Sequence, residues 1–186
     1  MNYVKDIERD GEYVEGLAKV DLFSKEFKVI SYVHVPIHYI ERCVEHLDNL
    51  SDELLDKLRG YLFKYAMDYQ KYFDMTNESD IKESGKIYGG GPTNILSCVK
   101  LQNVLISGGG ASGEEVTDAT IPTFSLECRC LWDIEHGLEI VISGNEIKYV
   151  GQFDNIGLWK SDDYYKKVFG NYVYDNPDDI DDECVE

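Results

Sequence analysis

Basic side chains are scarce in this chain. Its 186 residues hold 18 Lys and Arg against 36 Asp and Glu, a formal charge of −18 with a pI near 4.5. A phosphate backbone is bound by clustered cations that displace its counterions, so the shortage excludes nucleic acid and anionic membrane as partners. No apolar run approaches the roughly 18 residues of a membrane span. The opening MNYVKDIERDGEYVEG lacks the basic and apolar regions of a signal peptide, and the expected location is the cytoplasm. Paired cysteines are missing as well. Cys43, Cys98, Cys128, Cys130 and Cys184 are odd in number and scattered, without a CxxC, and read as reduced thiols. No GxSxG elbow and no cysteine-nucleophile signature is found, which leaves covalent catalysis without an anchor.

Apolar and aromatic residues are plentiful. With 43 % hydrophobic residues, 14 Tyr, 7 Phe and 2 Trp, the chain can close a sizeable core. Ala18, Val20 and Leu22, then Phe27, Val29, Val33 and Val35, alternate with polar neighbours on either side of Ser24-Lys25-Glu26, the pattern of a hairpin over residues 17 to 35. Pro36 can open a helix, because its missing N–H would have no partner there. Ile37, Ile40, Val44 and Leu47 then share a helical face. Ser51 is a good N-cap for a second helix, with Asp52 and Glu53 at its positive end and a stripe running from Leu54 through Leu58, Leu62 and Tyr65 to Phe73.

Residues 74 to 91 turn polar and end in three glycines, which predicts a flexible loop, and a short helical turn starts near Thr93. Residues 99 to 107 read as a strand, and a second loop lasts to Pro122. Phe124, Leu126, Cys128, Cys130 and Trp132 share one face of the clearest strand. Leu138, Ile140 and Ile142 form the next, Gly144-Asn145 turns the chain, and Ile147, Tyr149 and Phe153 continue the alternation. The expectation is an α+β fold, an antiparallel sheet of about five to six strands with two main helices packed on it. It would form a single domain over residues 1–174, followed by an acidic, flexible tail over 175–186.

Most motifs have bland readings. Gly108 to Gly113 matches GxGxxG, but Glu114, Glu115 and Pro122 follow where a helix N-terminus would have to meet a pyrophosphate. His38, Glu41, Glu45 and His46 are spaced wrongly for HExxH and read as a solvated helix face. Cys128 and Cys130 fit as small buried hydrophobes. Neither a metal nor a cofactor is expected. The cluster Trp132-Asp133-Ile134-Glu135-His136-Gly137 sets two carboxylates beside an imidazole, which could run acid–base chemistry. The structural alternative has Asp133 bonding N–H groups of the turn and Gly137 supplying a positive φ.

The stretch CLWDIEHGLEIVISGNEIKYVGQFDN resembles the signature of a family of small bacterial proteins catalogued as domain of unknown function 6985: a W-D-x-E-H-G turn, a strand, and a V-G pair at Val150-Gly151. Upstream, the paired strands, the Tyr-containing helix and Pro92-Thr93 also fit, so the resemblance covers about residues 12 to 157. It implies no established activity. Members resemble the small acidic immunity proteins that neutralise bacterial polymorphic and contact-dependent toxins by binding them. The resulting expectation is a non-enzymatic binding protein for a basic partner. The acids Asp178, Asp179, Asp181, Asp182 and Glu183 are its candidate contacts, with Tyr164, Tyr165 and Tyr172 as aromatic anchors. The alternative is an enzyme or small-ligand site around Asp133, Glu135 and His136, and a scaffold without a toxin partner is a third reading.

Overall fold

The computed structural model describes residues 3–23, 25–72, 91–108 and 121–174. Seven strands form one sheet in sequence order: β1 (Val4–Asp10), β2 (Tyr13–Ala18), β3 (Phe27–Tyr32), β4 (Val99–Ile106), β5 (Thr123–Cys130), β6 (Leu138–Ser143) and β7 (Glu146–Gly151). All neighbours are antiparallel except β3 and β4, which run parallel. That parallel step is where the helices fall. Helices α1 (Ile37–Asp48) and α2 (Asp52–Tyr72), the short α3 (Gly91–Asn94) and a 3-10 turn at Ile95–Cys98 connect the two strands. A parallel pair needs such a crossover, because a tight turn can only reverse the chain. A fourth helix, α4 (Asp162–Lys167), follows β7.

The expected two-helix packing is found, while the sheet is larger than anticipated. β1 escaped the pattern because Val4 is its only buried residue and six exposed positions follow. It pairs with β2 through a bulge between Lys5 and Glu8, with Asp6 at φ 51°, an irregularity that blunts an edge strand. β3 ends at Tyr32, so Val33 and Val35 belong to the turn before α1, and Val20 and Phe23 are buried between β2 and β3 outside any strand.

Helix α1 begins after Pro36, which sits at the N-cap with extended backbone, and buries Tyr39, Ile40, Cys43, Val44 and Leu47. Ser51 caps α2, its Oγ accepting the Leu54 N–H at 3.2 Å. Leu54, Leu58, Leu62, Tyr65 and Ala66 then face the sheet, where burial of each leucine is worth about 1.5–3 kcal/mol. The opposing wall includes Val29, Val104, Leu126, Ile140 and Val150.

Among the described residues, the other face of the sheet is covered from β7 toward β4, by residues 154–159 and α4. A bulge lies where Val141 pairs with Tyr149 while Ile142 pairs with Ile147, leaving Lys148 without an opposite partner. Ile147 and Tyr149 therefore point to opposite faces, whereas simple alternation places them together. Tyr149 instead joins Val141 and Tyr165 in a second small core, packed by Ile156, Leu158, Val168 and Tyr174. The outer edge of β7 is closed by Asn171. Its side chain accepts the Val150 N–H at 3.3 Å and donates to the Lys148 carbonyl at 2.9 Å, in the manner of an adjacent peptide group. At the β1–β3 end Tyr13, Leu17 and Tyr32 are exposed on this face among the described residues.

Candidate functional site

The turn between β5 and β6 is held from its centre. Asp133 is 1 % exposed, and its Oδ2 accepts the Tyr65 hydroxyl of α2 at 2.7 Å. Oδ1 accepts the His136 backbone N–H at 3.0 Å, lies 3.0 Å from His136 Nδ1, and takes the Tyr69 hydroxyl at 3.4 Å. The Asp133 carbonyl receives Gly137 N–H at 3.1 Å and the Cys130 thiol at 3.5 Å. Burial, followed by the neighbouring Asp133 carboxylate, raises the Tyr65 hydroxyl far above its ordinary range and pushes Tyr69 up to about 12. Both phenols therefore stay protonated as donors at neutral pH. Gly137 has φ +77°, and a Cβ there would lie 2.9 Å from the Cys128 carbonyl. Trp132 is buried edge-on to Tyr65.

A groove of about 690 Å³ runs beside this turn, lined among others by Lys100, Arg129, Glu135 and His136. Asp133 does not line it. Its carboxylate points into α2, His136 is tied to it, and Glu135 is exposed, so the three side chains do not meet at a common point in the groove. Asp133 accepts a turn N–H and Gly137 has positive φ, as in the structural alternative, and the bonds to Tyr65 and Tyr69 add a tie to α2 that the sequence does not indicate. Cys128 and Cys130 are buried as expected, and burial raises both thiols, Cys130 to about 12.

The candidate contact residues are scattered. Tyr165 is 1 % exposed and belongs to the small core, its hydroxyl donating to the Gly157 carbonyl at 2.9 Å. This corrects its assignment as a surface anchor: helix α4 turns it inward against Tyr149 and Val141. Tyr172 is half-buried and stacks on Tyr65 with centroids 4.7 Å apart. Tyr164 alone of the three is exposed, at 41 %. Asp178, Asp179, Asp181, Asp182 and Glu183 lie outside the described residues, as do most of the two glycine-rich segments. Glu41 and His46 depart from the solvated helix face expected of them. Glu41 accepts the backbone N–H groups of Tyr3 and Val4, and His46 Nε2 bonds the Gly144 carbonyl at 2.8 Å. Among the described residues no group of His, Cys, Asp or Glu is placed to hold a metal.

Two features escape pattern reading. The first is the exposed face of β1–β3. Register sets Asp10, Tyr13 and Tyr32 in one row and Glu8, Glu15 and Ile30 in the next. Tyr13 and Tyr32 are 46 % and 39 % exposed, their centroids 5.2 Å apart, and His34 stacks on Tyr32. Leu17 is exposed beside them. The second is Glu139 of β6, which is 0 % exposed. Its Oε1 accepts the Ser125 hydroxyl at 2.9 Å, and Oε2 accepts the N–H groups of Ile156 at 3.1 Å and Asp154 at 3.3 Å. Desolvation raises its carboxyl above the usual carboxylate range, against the lowering effect of these donors. Its signal was a lone carboxylate between Leu138 and Ile140.

Comparison with curated proteins and with solved structures finds no match. A family model described as Domain of unknown function (DUF6985) matches residues 3–158. That span includes all seven strands, helices α1 to α3 and the Trp132–Gly137 turn, and the chain belongs to this family.

Proposed function

We propose that the chain is a non-enzymatic binding protein that holds a basic protein against the exposed face of β1–β3, the role an immunity protein plays toward its toxin. The observation that carries this reading is the tyrosine pair, Tyr13 and Tyr32, exposed beside Asp10, Glu8 and Glu15. Tyrosines supply large contact area at small entropic cost and are enriched among the residues that dominate interface energies. Carboxylates around them favour Lys and Arg on the partner. Lys5 and Lys28 lie on the same face, and Lys28 is paired with Glu15 at 2.8 Å. The net charge of −18 speeds capture of a cationic protein at low ionic strength. Seven acids and no base in residues 175–186 add to that long-range field.

The test is capture of the C-terminal domain of a secreted protein encoded beside this chain's gene, with the association rate followed against salt. The reading expects a complex whose association slows steeply between low and physiological salt. If the two proteins fail to bind, or if the rate ignores salt, the proposal is wrong. Removal of residues 175–186 separates the tail from the sheet face. The sheet-face reading expects a slower association with little change in dissociation.

A further inference from the structure

Under residues 154–159 lies a slot that the turn does not account for and whose mouth borders the partner face at Tyr13 and Tyr32. Its floor is a row of cross-strand partners, Ile30 of β3, Leu105 of β4 and Ser125 of β5. Asn155, Gly157 and Leu158 cover it, and Trp159 fastens this cover by donating its indole N–H to the Ser107 carbonyl at 2.9 Å. The volume is about 280 Å³, near the lower end of small-molecule sites. Tyr13 and Tyr32 stand at the β2–β3 end, and Glu139 closes the β6 end.

The closed end carries a carboxylate with no cation opposite it among the described residues. A buried carboxylate is costly unless a cation opposes it or donors saturate it. Glu139 faces Glu127 directly across the β5–β6 ladder, a like-charged pairing that disfavours the sheet. Among the described residues no Lys, Arg or His forms an ion pair with it. Its described donors, the Ser125 hydroxyl and the backbone N–H groups of residues 154–156, are all neutral dipoles and bring no countercharge. The cover also carries backbone strain. Asn155 and Trp159 adopt φ of 53° and 63°; asparagine tolerates this left-handed region, whereas for Trp159 it is strained, and such strain concentrates at ligand clamps.

We infer that this slot binds a small organic cation, an ammonium or amidinium group held at Oε1 of Glu139, with an apolar or aromatic body along Ile30 and Leu105 toward the two tyrosines. The buried carboxylate supplies the charge preference, Ser125 and the cover's N–H groups fix its orientation, and the apolar floor selects the body. Tyrosine ring faces at the mouth attract cations during entry. The inference does not rest on the proposed protein partner, although Tyr13 and Tyr32 border both surfaces.

Two probes, 2-phenylethylamine and benzamidine, test it by ¹H–¹⁵N NMR titration of the full chain, with phenylacetate as the anionic control. Saturable shifts at Ser125 and at residues 154–158 with at least one cationic probe, and none with phenylacetate, are expected. Two variants locate the site. Glu139→Gln should weaken binding by about 10-fold or more, the loss of about 1.4 kcal/mol, and Leu105→Trp, which fills the floor, should abolish it. Because Glu139 also holds the 154–156 backbone, Leu105→Trp is the arm that stands if the glutamine variant unfolds. Absence of saturable shifts with both cations, equal binding of phenylacetate, or full binding by Leu105→Trp would overturn the inference.

Discussion

Replacing Tyr65 with Phe isolates one hydroxyl whose loss should be felt by the whole fold. That hydroxyl is the one donor described at Asp133 Oδ2, at 2.7 Å, whereas Oδ1 has His136 and Tyr69. Phe keeps the ring contacts with Tyr172 and Trp132, so the change removes a hydrogen bond to a buried charge and little else. Such bonds are worth about 1.5–3 kcal/mol, and a stranded acceptor at a site 1 % exposed belongs in the upper half of that range. The expected loss is about 2–3 kcal/mol. With a urea slope of about 2–3 kcal/mol/M, the midpoint should fall by roughly 1 M, with the slope unchanged. Tyr69→Phe is the internal control. Its 3.4 Å contact reaches the oxygen that has other donors, so it should cost less than about 1 kcal/mol. A Tyr65→Phe protein within about 0.5 kcal/mol of the wild type, or a Tyr69→Phe protein that loses more, would refute the view that Asp133 is the anchor joining the turn to α2.

Glu139 makes the pH profile diagnostic. Its folded carboxyl is raised, so its contribution to stability is fully present below the ordinary carboxylate range, about 4.3, and is lost as pH rises through its raised value. Glu127, Asp154, Tyr149 and Tyr165 surround it and are the same in both proteins, so they cancel in the difference. The difference between wild type and Glu139→Gln in urea titrations from pH 4 to 8 should therefore tilt toward the glutamine variant as pH rises, and a flat difference would contradict the burial argument. Gly151→Ala and Gly60→Ala should act in opposite directions. A Cβ at Gly151 would stand 2.5 Å from Tyr149 Oη and 2.6 Å from the Gly170 carbonyl, whereas at Gly60 nothing lies within 4 Å. Thermal melts should show a loss of about 1–3 kcal/mol at Gly151 and a gain of about 0.5–1 kcal/mol in the helix at Gly60. Cys43, Cys98, Cys128 and Cys130 are buried, and burial pushes Cys43 and Cys130 up to about 12. Titration with a thiol reagent at pH 8 should release these four only in denaturant; rapid reaction of any of them in the native protein would show that the core opens.

Helix α2 was legible because three signals agree: the Ser51 cap, acids in the first turn and a leucine stripe at helical spacing. The β5–β6–β7 meander was legible for a similar reason, since alternation and the Gly144-Asn145 turn point to one register. β1 was not, because an edge strand with one buried residue carries no alternation to read. The direction of β4 relative to β3 follows from where two helices dock, a property of packing and not of any local window. At Lys148 the bulge breaks the period of two, and this reversal builds the second core that the alternation conceals. The same limit applies to the sites. Asp133 and Gly137 form a local turn, and their roles could be read from turn chemistry alone. Glu139 is not legible in the pattern, because its cover comes from residues 154–159, folded back from beyond β7. Tyr165 misled for the opposite reason, as a tyrosine beside charged neighbours that α4 turns inward.

Calorimetric titration of the wild type and of a Tyr13→Ala/Tyr32→Ala double variant with the basic protein domain encoded alongside tests the central claim most directly. The account predicts tight binding by the wild type and a loss of at least about 100-fold in the variant, as expected for two aromatic anchors, with an unchanged melting temperature. Equal affinity of the two proteins would contradict it, because the partner would then be held by some other surface.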